Sequence, residues 1–298
     1  MIPESDSSSS LSTPPVFVTG SAGHVGANLV RRLLEEGVRI RVLLRHEDNN
    51  EGLEGLDVER SYGDLRDLNA TRQAITGCQG VYHVAAQIST IEGNRAHRRK
   101  IFECNVIGTR NVLQAAREAE AGRVVVTGSF SAVGHDLDNP SAPSDETMPF
   151  FPMERTMPYE RSKSLVEQEC WSAAAAGQDV VVATCCAVVG GADFLPSRLG
   201  RTLCDYTNGK LHAYVDGGFE FVAARDIVEV RAKNTSSAAS TRLSQISWIF
   251  MKRSRASRGR VGGFHPTRCW FFRRWRVLIL AGFTQTFPNV SRLAPSAC

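Results

Sequence analysis

The chain has 298 residues, of which 42% are hydrophobic, and a formal net charge of +4. This length suffices for one large α/β domain and a small second lobe, which argues against a minimal fold stabilised by disulfides. No apolar run approaches the roughly 20 residues that a membrane-spanning helix needs, so we expect a soluble, cytoplasmic protein with no membrane partner. The eight cysteines show neither a CxxC pair nor a histidine at metal-ligand spacing, so we expect reduced thiols and no metal site.

The predicted elements alternate regularly along the chain. The polar, acidic residues 1–15 lack the basic start and apolar run of a secretory signal, so we expect a disordered leader. From residue 16 onward, short β-branched runs alternate with amphipathic stretches, which predicts a parallel sheet with crossover helices. The predicted strands cover residues 16–18, 39–44, 58–62, 81–85, 123–127 and 180–189, and the predicted helices cover 25–34, 68–75, 101–116 and 159–176. This order is typical of an α/β fold with a doubly wound, Rossmann-type sheet.

The turn after the first predicted strand is rich in glycine and reads TGSAGHVG. Because it joins a strand to a helix, its amides and the helix N-terminus can bind a pyrophosphate. Gly20 suits the tight turn, Gly23 a close approach of backbone to phosphate, and Gly26 the packing of helix on strand. The turn predicts dinucleotide binding, with cofactor contacts from Thr19, Gly20, Ala22, Gly23, His24, Val25 and Gly26.

The end of the second predicted strand bears on the choice of cofactor. An acid at this point accepts from the adenosine ribose, whereas an arginine suits a 2′-phosphate. The sequence places Arg45 here, so we favour NADP over NAD. Glu47 and Asp48 are close enough to take the other role, and Arg45 could also be a solvated loop cation.

Two polar clusters provide candidate catalytic groups. Tyr159 and Lys163 lie four residues apart on a predicted helix, which brings the phenol and the ammonium to one face. A nearby ammonium favours the phenolate, so the pair can transfer a proton. Ser129 follows the fifth predicted strand and could orient a substrate oxygen, although serine is also common in ordinary turns. Asn105 could bend the long helix, hold a relay water or simply face solvent.

Together these motifs resemble the extended short-chain dehydrogenase/reductase, or NAD-dependent epimerase/dehydratase, family over residues 16–230. The motifs that match in order and spacing are TGSAGHVG, GDLRD, YHVAA, the N-V-x-G-T-x-N-V-L helix, the serine after the fifth strand and YERSK. Within that family, RVLLR and NGKLHAYVDGGFEFV are most similar to dihydroflavonol-4-reductase-like proteins and hopanoid-associated sugar epimerases.

The resemblance implies an NAD(P)-dependent oxidoreductase or epimerase that acts on a small carbonyl, alcohol or sugar nucleotide. Tyr159 would be the catalytic acid/base. Lys163 would be its partner and would also contact the nicotinamide ribose. Ser129 would bind the substrate oxygen, and Asn105 would be a relay residue. Asp64 and Leu65 would flank the adenine of the cofactor. Ala85 and Ala86 would contact its ribose side. Relatives often form homodimers through the Asn105 and Tyr159 helices, so a homodimer is the expected assembly.

The chain departs from the family pattern after the sixth predicted strand. Residues 184–191 read TCCAVVGG and lack both prolines of the usual R-P-S-x-V-x-G-P-like segment, which predicts a looser nicotinamide loop. Residues 221–227 keep only the outline of an F-V-H-V-D-D-V segment. We therefore also consider a non-catalytic dinucleotide-binding protein and an inactive product.

The charge also changes abruptly along the chain. Residues 1–230 carry a net charge of −9, whereas residues 231–298 carry +13 and no carboxylate. Our preferred hypothesis for this atypical basic tail is a frameshift; a nucleic-acid-binding arm and an interfacial membrane anchor are less favoured. We accordingly divide the chain into a leader at 1–15, a dinucleotide-binding domain at 16–190, the start of a substrate lobe at 191–230, and the tail.

Overall fold

A computed structural model describes residues 13–134, 148–150, 153–210 and 221–229 of the chain. The basic tail and most of the expected leader lie outside these residues. The last residues of the leader are placed against the sheet: the side chain of Gln79 donates to the carbonyl oxygen of Pro14 at 2.6 Å, and its backbone N–H donates to that of Pro15 at 2.9 Å.

The described residues form strands and helices in the predicted alternation. The strands are β1 Val16–Thr19, β2 Ile40–Leu44, β3 Glu59–Tyr62, β4 Gly80–His83, β5 Val124–Thr127, β6 Val180–Ala183, β7 Ala187–Val189 and β8 Phe221–Ala223. The α-helices are α1 His24–Glu35, α2 Leu68–Ile75, α3 Arg95–Phe102, α4 Gly108–Glu118, α5 Pro158–Ala175 and α6 Arg198–Thr207. Shorter 3₁₀ turns cover Glu51–Leu53, Phe130–Ala132 and Met153–Arg155.

Six of these strands form one parallel sheet in the order β3-β2-β1-β4-β5-β6. The order reverses between β1 and β4, because the chain returns past β1 after completing the first three strands. In an open α/β sheet, ligands bind outside the carboxyl ends of the strands at such a reversal. The predicted doubly wound fold is confirmed, and the sheet places the carboxyl ends of β1, β4 and β5 beside one another.

Apolar side chains cover both faces of the sheet, as expected for parallel strands with helices on each side. Successive residues of β1 point to opposite faces, with Phe17 in one core cluster and Val18 in the other. The first cluster includes Val112 of α4 and Val166 of α5, and the second includes Leu29 of α1. The two cores fix these helices to the sheet, and with them the loops at its carboxyl edge.

The predicted long helix is interrupted in its middle. A π-helical turn, Glu103–Ile107, joins α3 to α4 and contains Asn105. Turns of this kind insert an extra residue into the hydrogen-bond pattern and are frequent at functional sites. The apolar periodicity predicted a helix at 101–116 but carried no sign of this turn.

The single strand predicted at residues 180–189 is wrong. Pairing of β6 with β5 ends at Ala183, opposite Thr127, and β7 pairs instead with β8 in a separate parallel sheet. Between them, the carbonyl oxygen of Cys185 accepts a hydrogen bond of 3.0 Å from the N–H of Phe130, in the loop after β5. The sequence stays apolar from β6 into β7, so composition alone could not show where one strand ends and the next begins.

The described residues divide into two compact units. The larger contains the described residues up to Ser197 together with residues 221–229, and the smaller contains residues 198–210, with α6. The division expected at residue 190 stays a prediction. None of the helices in the described part of the chain is both long and apolar enough to cross a membrane.

Candidate active site

The glycine-rich turn between β1 and α1 has the geometry that its sequence predicts. Gly20 has a positive φ of 66°, a conformation that favours glycine. A Cβ atom at Gly26 would overlap the carbonyl oxygen of Gly20, so only glycine lets α1 approach the turn this closely. A Cβ atom at Gly23 would meet only that same oxygen, at 3.4 Å, and would otherwise enter open space. Gly23 therefore leaves room that a ligand could occupy.

Polar groups around this turn lack partners within the described part of the chain. The hydroxyl of Ser21 and Nε2 of His24 are buried and have no hydrogen-bond partner there. At the start of α1, Gly23 supplies no side-chain cap and the first turn contains no acidic residue. Unsatisfied donors at a helix N-terminus attract an anion. These groups fit a dinucleotide pyrophosphate, and Ser21 was not among the predicted contacts.

The end of β4 packs against the turn. The N–H groups of Val84 and Ala85 both donate to Oγ1 of Thr19, each at 3.2 Å. A Cβ atom at Gly20 would lie 2.6 Å from the backbone of Ala85. Of the two predicted ribose-side residues, Ala85 is half-buried against the turn and Ala86 is exposed.

Arg45 lies directly after β2, as predicted, and is bound by Asp48. Nε and Nη2 of Arg45 donate to the two carboxylate oxygens of Asp48 at 2.8 and 2.6 Å. Next to this pair, His46 stacks on Tyr62 with ring centroids 4.4 Å apart. Arg45 is thus engaged rather than a free solvated cation, and a 2′-phosphate would compete with Asp48 for it.

Asp64, one of the two predicted adenine-flanking residues, borders a cavity of about 460 Å³. Asp64 lines it together with Arg66, whose Nη2 donates to the Asp64 carboxylate at 2.6 Å. This hydrogen bond from Arg66 holds the pKa of Asp64 below its ordinary value. Leu65 packs on the core, and its carbonyl oxygen accepts from the side chain of Asn111 at 2.7 Å. Four of the five lining residues of the cavity are charged, and the neighbouring Leu65 is held to α4 through Asn111.

The Tyr159 phenol lies beside Ser129, so the start of α5 meets the loop after β5. Burial raises the pKa of Tyr159 to about 12, although the neighbouring Ser129 hydroxyl lowers it. Ser129 is buried, and its Oγ also lies 2.8 Å from Oγ of Ser131. The expectation that Lys163 lowers the pKa of Tyr159 is therefore wrong in this environment, because burial dominates and the phenol keeps its proton at neutral pH.

Lys163 lies one helical turn beyond Tyr159 and is 4% exposed. Its Nζ donates to the carbonyl oxygen of Thr127, the last residue of β5, at 2.9 Å. The hydroxyl of Thr127 is itself buried without a hydrogen-bond partner within the described residues. The structure thus places Tyr159, Lys163 and Ser129 together at the carboxyl end of β5, where the sequence predicted a site.

Asn105 is buried, so its predicted alternative role as a solvent-facing residue is wrong. Its Oδ1 accepts from the N–H of Gln87 at 2.7 Å, and its Nδ2 donates to the Gln87 carbonyl oxygen at 3.1 Å. Nδ2 also donates to Oγ of Ser162 at 2.8 Å. Asn105 therefore connects the π-helical turn to the loop after β4 and to α5.

Sequence reasoning missed several buried polar residues around this site. His83 and Thr109 are 2% and 1% exposed, and both belong to a chain of hydrogen bonds that reaches Asn105. The one available signal was a histidine at the end of an otherwise apolar strand. Thr109 and Ser162 lie on helices whose pattern gave no sign of what they face.

Residues 16–234 match the NAD dependent epimerase/dehydratase family. Over 214 residues the chain is 44% identical to Sterol demethylase protein B of Methylococcus capsulatus, covering 72% of this chain and 63% of that protein. Over 212 residues it is 37% identical to the "Putative dihydroflavonol 4-reductase" of Synechocystis sp., covering 71% and 60%. The matched region therefore spans less than two thirds of either relative.

Among solved structures, the chain is similar to DesIV, a dTDP-glucose 4,6-dehydratase of Streptomyces venezuelae solved with NAD bound. The TM-score is 0.64 and the identity 26%, and the match covers 75% of this chain and 72% of DesIV. Fold, motifs and sequence similarity agree over the same part of the chain. The chain belongs to the NAD dependent epimerase/dehydratase family.

Proposed function

We propose that this chain is an NAD(P)-dependent oxidoreductase that acts between a carbonyl and the corresponding alcohol. The observation that carries the proposal is the meeting of Ser129, Tyr159 and Lys163 at the carboxyl end of β5. A hydroxyl donor, a phenol and an ammonium in one place can orient a carbonyl oxygen and protonate it.

The proposed proton transfer starts from Tyr159. A bound dinucleotide would supply or accept the hydride. With a pKa of about 12, the Tyr159 hydroxyl holds its proton at neutral pH and suits the protonation of a carbonyl oxygen. Ser129 would hold that oxygen beside the phenol, and the ammonium of Lys163 would stabilise the phenolate left behind. The protonated phenol can therefore act as the general acid in carbonyl reduction.

The proposed cofactor is NADP, with NAD as the alternative. Arg45 supports NADP, because its guanidinium lies where the second strand ends and can bind a phosphate in bidentate fashion. NAD is the dinucleotide named for the similar DesIV structure. The proposed cofactor contacts are those of the sequence prediction, joined by Ser21 on the grounds of its unpartnered hydroxyl.

The proposed substrate is a small molecule of one of two classes. A ketone of the dihydroflavonol type follows from the resemblance to reductases, and a sugar nucleotide follows from the resemblance to epimerases and dehydratases. Within the ketone class, a sterol ketone is a further candidate, because one relative is named as a sterol demethylase protein.

The test uses the full chain and both reduced dinucleotides. We expect saturable binding of NADPH in a fluorescence titration and consumption of NADPH with at least one substrate class. Tyr159→Phe should lower turnover by at least about a hundredfold, with the dissociation constant for NADPH nearly unchanged. Equal turnover in the variant would refute the role of Tyr159.

A non-catalytic dinucleotide-binding protein is the second candidate. It is favoured by the break in pairing between β6 and β7, which falls within the segment that departs from the family pattern. Binding of NADPH without turnover across the whole substrate panel would support it over the enzyme.

A homodimer through α4 and α5 is the proposed assembly. Trp171 of α5 is 51% exposed and stacks on Phe150 with ring centroids 5.1 Å apart, and Phe102, at the end of α3, is 43% exposed. Exposed aromatic side chains are frequent at protein interfaces. Light scattering at several concentrations tests this: Trp171→Glu should shift a dimer to monomer, and a monomeric parent chain would rule the dimer out.

A further inference from the structure

His83 is the last residue of β4 and is 2% exposed. The proposed function gives it no role. Both of its ring nitrogens are nevertheless hydrogen-bonded: Nδ1 lies 2.8 Å from Oγ1 of Thr19, and Nε2 lies 2.9 Å from Oγ1 of Thr109. The imidazole therefore bridges the end of β1 and the start of α4.

The surrounding hydrogen bonds determine which nitrogen carries the proton. Oγ1 of Thr109 lies 2.6 Å from the carbonyl oxygen of Asn105, which can only accept, so the hydroxyl hydrogen of Thr109 is committed there. Thr109 must then accept from Nε2–H of His83. Burial lowers the pKa of His83 to about 3, and the nearby ammonium of Lys163 acts in the same direction, so the ring is neutral. Nδ1 is therefore an acceptor and receives the hydroxyl hydrogen of Thr19.

The Nδ1 side of the ring reaches the glycine-rich turn. Once the Thr19 hydroxyl points at His83, its oxygen is free to accept from the N–H groups of Val84 and Ala85, each at 3.2 Å. The Ala85 backbone is packed so closely on Gly20 that a Cβ at Gly20 would lie 2.6 Å from it. The imidazole thus orients the Thr19 hydroxyl, and through the hydrogen bonds that Thr19 accepts it fixes the end of β4 against the glycine-rich turn.

The Nε2 side reaches the residues around Tyr159. Thr109 fixes the carbonyl oxygen of Asn105 in the π-helical turn, and the Asn105 side chain binds Gln87 and Ser162. Oγ of Ser162 in turn donates to the carbonyl oxygen of Tyr159 at 2.6 Å. Four hydrogen bonds in sequence therefore connect the His83 ring to the backbone of Tyr159.

We propose that His83 is a positioning residue for both halves of the site, Nδ1 fixing the dinucleotide turn through Thr19 and Nε2 fixing the Asn105 turn and the start of α5 through Thr109. The inference rests on the proposed function for its consequences in catalysis. A histidine is suited to this position because a neutral imidazole accepts at one nitrogen and donates at the other.

Replacing His83 by glutamine or by asparagine tests the roles of its two ring nitrogens separately. In His83→Gln the longer side chain can present an N–H donor near the Nε2 position and keep the contact to Thr109, while the acceptor for Thr19 is lost. In His83→Asn the shorter side chain can present an oxygen near the Nδ1 position and keep the contact to Thr19, while the donor to Thr109 is lost. Thr19→Val and Thr109→Val are matched variants, because each removes one partner hydroxyl and leaves His83 in place.

The two sides have independent readouts. The dissociation constant for NADPH reports the turn, and hydrogen exchange of the Gln87 amide reports the Asn105 side, because this N–H donates to Asn105. We expect His83→Gln and Thr19→Val to weaken NADPH binding about tenfold and leave Gln87 protected. We expect His83→Asn and Thr109→Val to speed exchange at Gln87 about tenfold and leave NADPH binding nearly unchanged.

The proposal is overturned if both readouts change equally in all four variants, which is the result of a merely structural role, or if neither changes. If the histidine variants fail to fold, Thr19→Val and Thr109→Val still test the proposal, because the first should change only NADPH binding and the second only exchange at Gln87. Failure of the proposed function gives a different result: the parent chain then binds neither NADPH nor NADH, while exchange at Gln87 still distinguishes the two sides.

Discussion

Glu167 follows Lys163 by four residues on α5, so the carboxylate and the ammonium lie on the same side of that helix. Oε1 of Glu167 is nevertheless buried without a hydrogen-bond partner within the described residues. Burial raises the pKa of Glu167 from 4.5 to about 7, and the ammonium of Lys163 offsets only part of this increase. One turn beyond the candidate catalytic lysine, the protein thus holds a carboxyl group that resists ionisation.

This carboxyl group predicts a specific pH dependence of stability. The folded chain keeps the Glu167 proton up to about pH 7, whereas the unfolded chain releases it near pH 4.5. The associated stabilisation is complete below pH 4.5 and is lost as the pH rises to 7. Glu167→Gln should match the parent chain in urea denaturation at pH 4 and exceed its free energy of unfolding by about 1–3 kcal/mol at pH 8. A difference independent of pH would contradict this, and the exposed Glu154→Gln is the control.

The pairing of Arg45 with Asp48 predicts how the cofactor preference can be changed. Asp48 occupies the guanidinium and places a negative charge where a 2′-phosphate would bind. Asp48→Asn should therefore strengthen NADPH binding by about three- to tenfold, and Arg45→Ala should weaken it at least about tenfold. NADH lacks the 2′-phosphate and serves as the control ligand. Parallel changes for both dinucleotides would show that Arg45 does not select the cofactor.

The two glycines at the start of α1 should respond differently to alanine. Gly23→Ala adds a methyl group to open space beside Gly20, so we expect a melting temperature close to that of the parent chain and a large loss of dinucleotide binding. Gly26→Ala places its Cβ against the Gly20 carbonyl, so it should destabilise the fold itself, by about 1–3 kcal/mol. Thermal unfolding and NADPH titration distinguish the two. Tight NADPH binding by Gly23→Ala would mean that the dinucleotide pyrophosphate does not bind beside Gly23.

Removal of the Asn105 side chain should be costly. Asn105→Ala leaves part-buried backbone groups of Gln87 and the buried hydroxyl of Ser162 without their partner, so we expect a loss of about 2–4 kcal/mol in the free energy of unfolding. Gln114→Ala, on the exposed side of α4, removes one surface hydrogen bond to Glu118 and should change stability by less than about 0.5 kcal/mol. Chemical denaturation compares the two, and equal effects would mean that the Asn105 network contributes no net stability.

Local sequence patterns predicted the structure correctly wherever the determining residues lie within one short segment. The helix predicted at residues 68–75 agrees with α2 at both ends, because Asp67 caps its first turn and its apolar periodicity is regular. The glycine spacing between Gly20 and Gly26 predicted the turn correctly, since the requirement for a missing Cβ is a property of the turn itself. The predicted strand at 180–189 failed because a strand's partner is not encoded in its own composition.

The sequence by itself determined the order of strands and helices, the glycine-rich turn, and the four-residue spacing of Tyr159 and Lys163. Each of these follows from backbone geometry over a few neighbouring residues. The tertiary structure alone decided that Ser129 meets Tyr159, that Asp48 binds Arg45, and that His83 joins Thr19 to Thr109. The His83 contacts join residues 64 and 26 positions apart, because the parallel sheet brings the carboxyl ends of its strands to one edge and burial leaves the polar groups there only one another as partners.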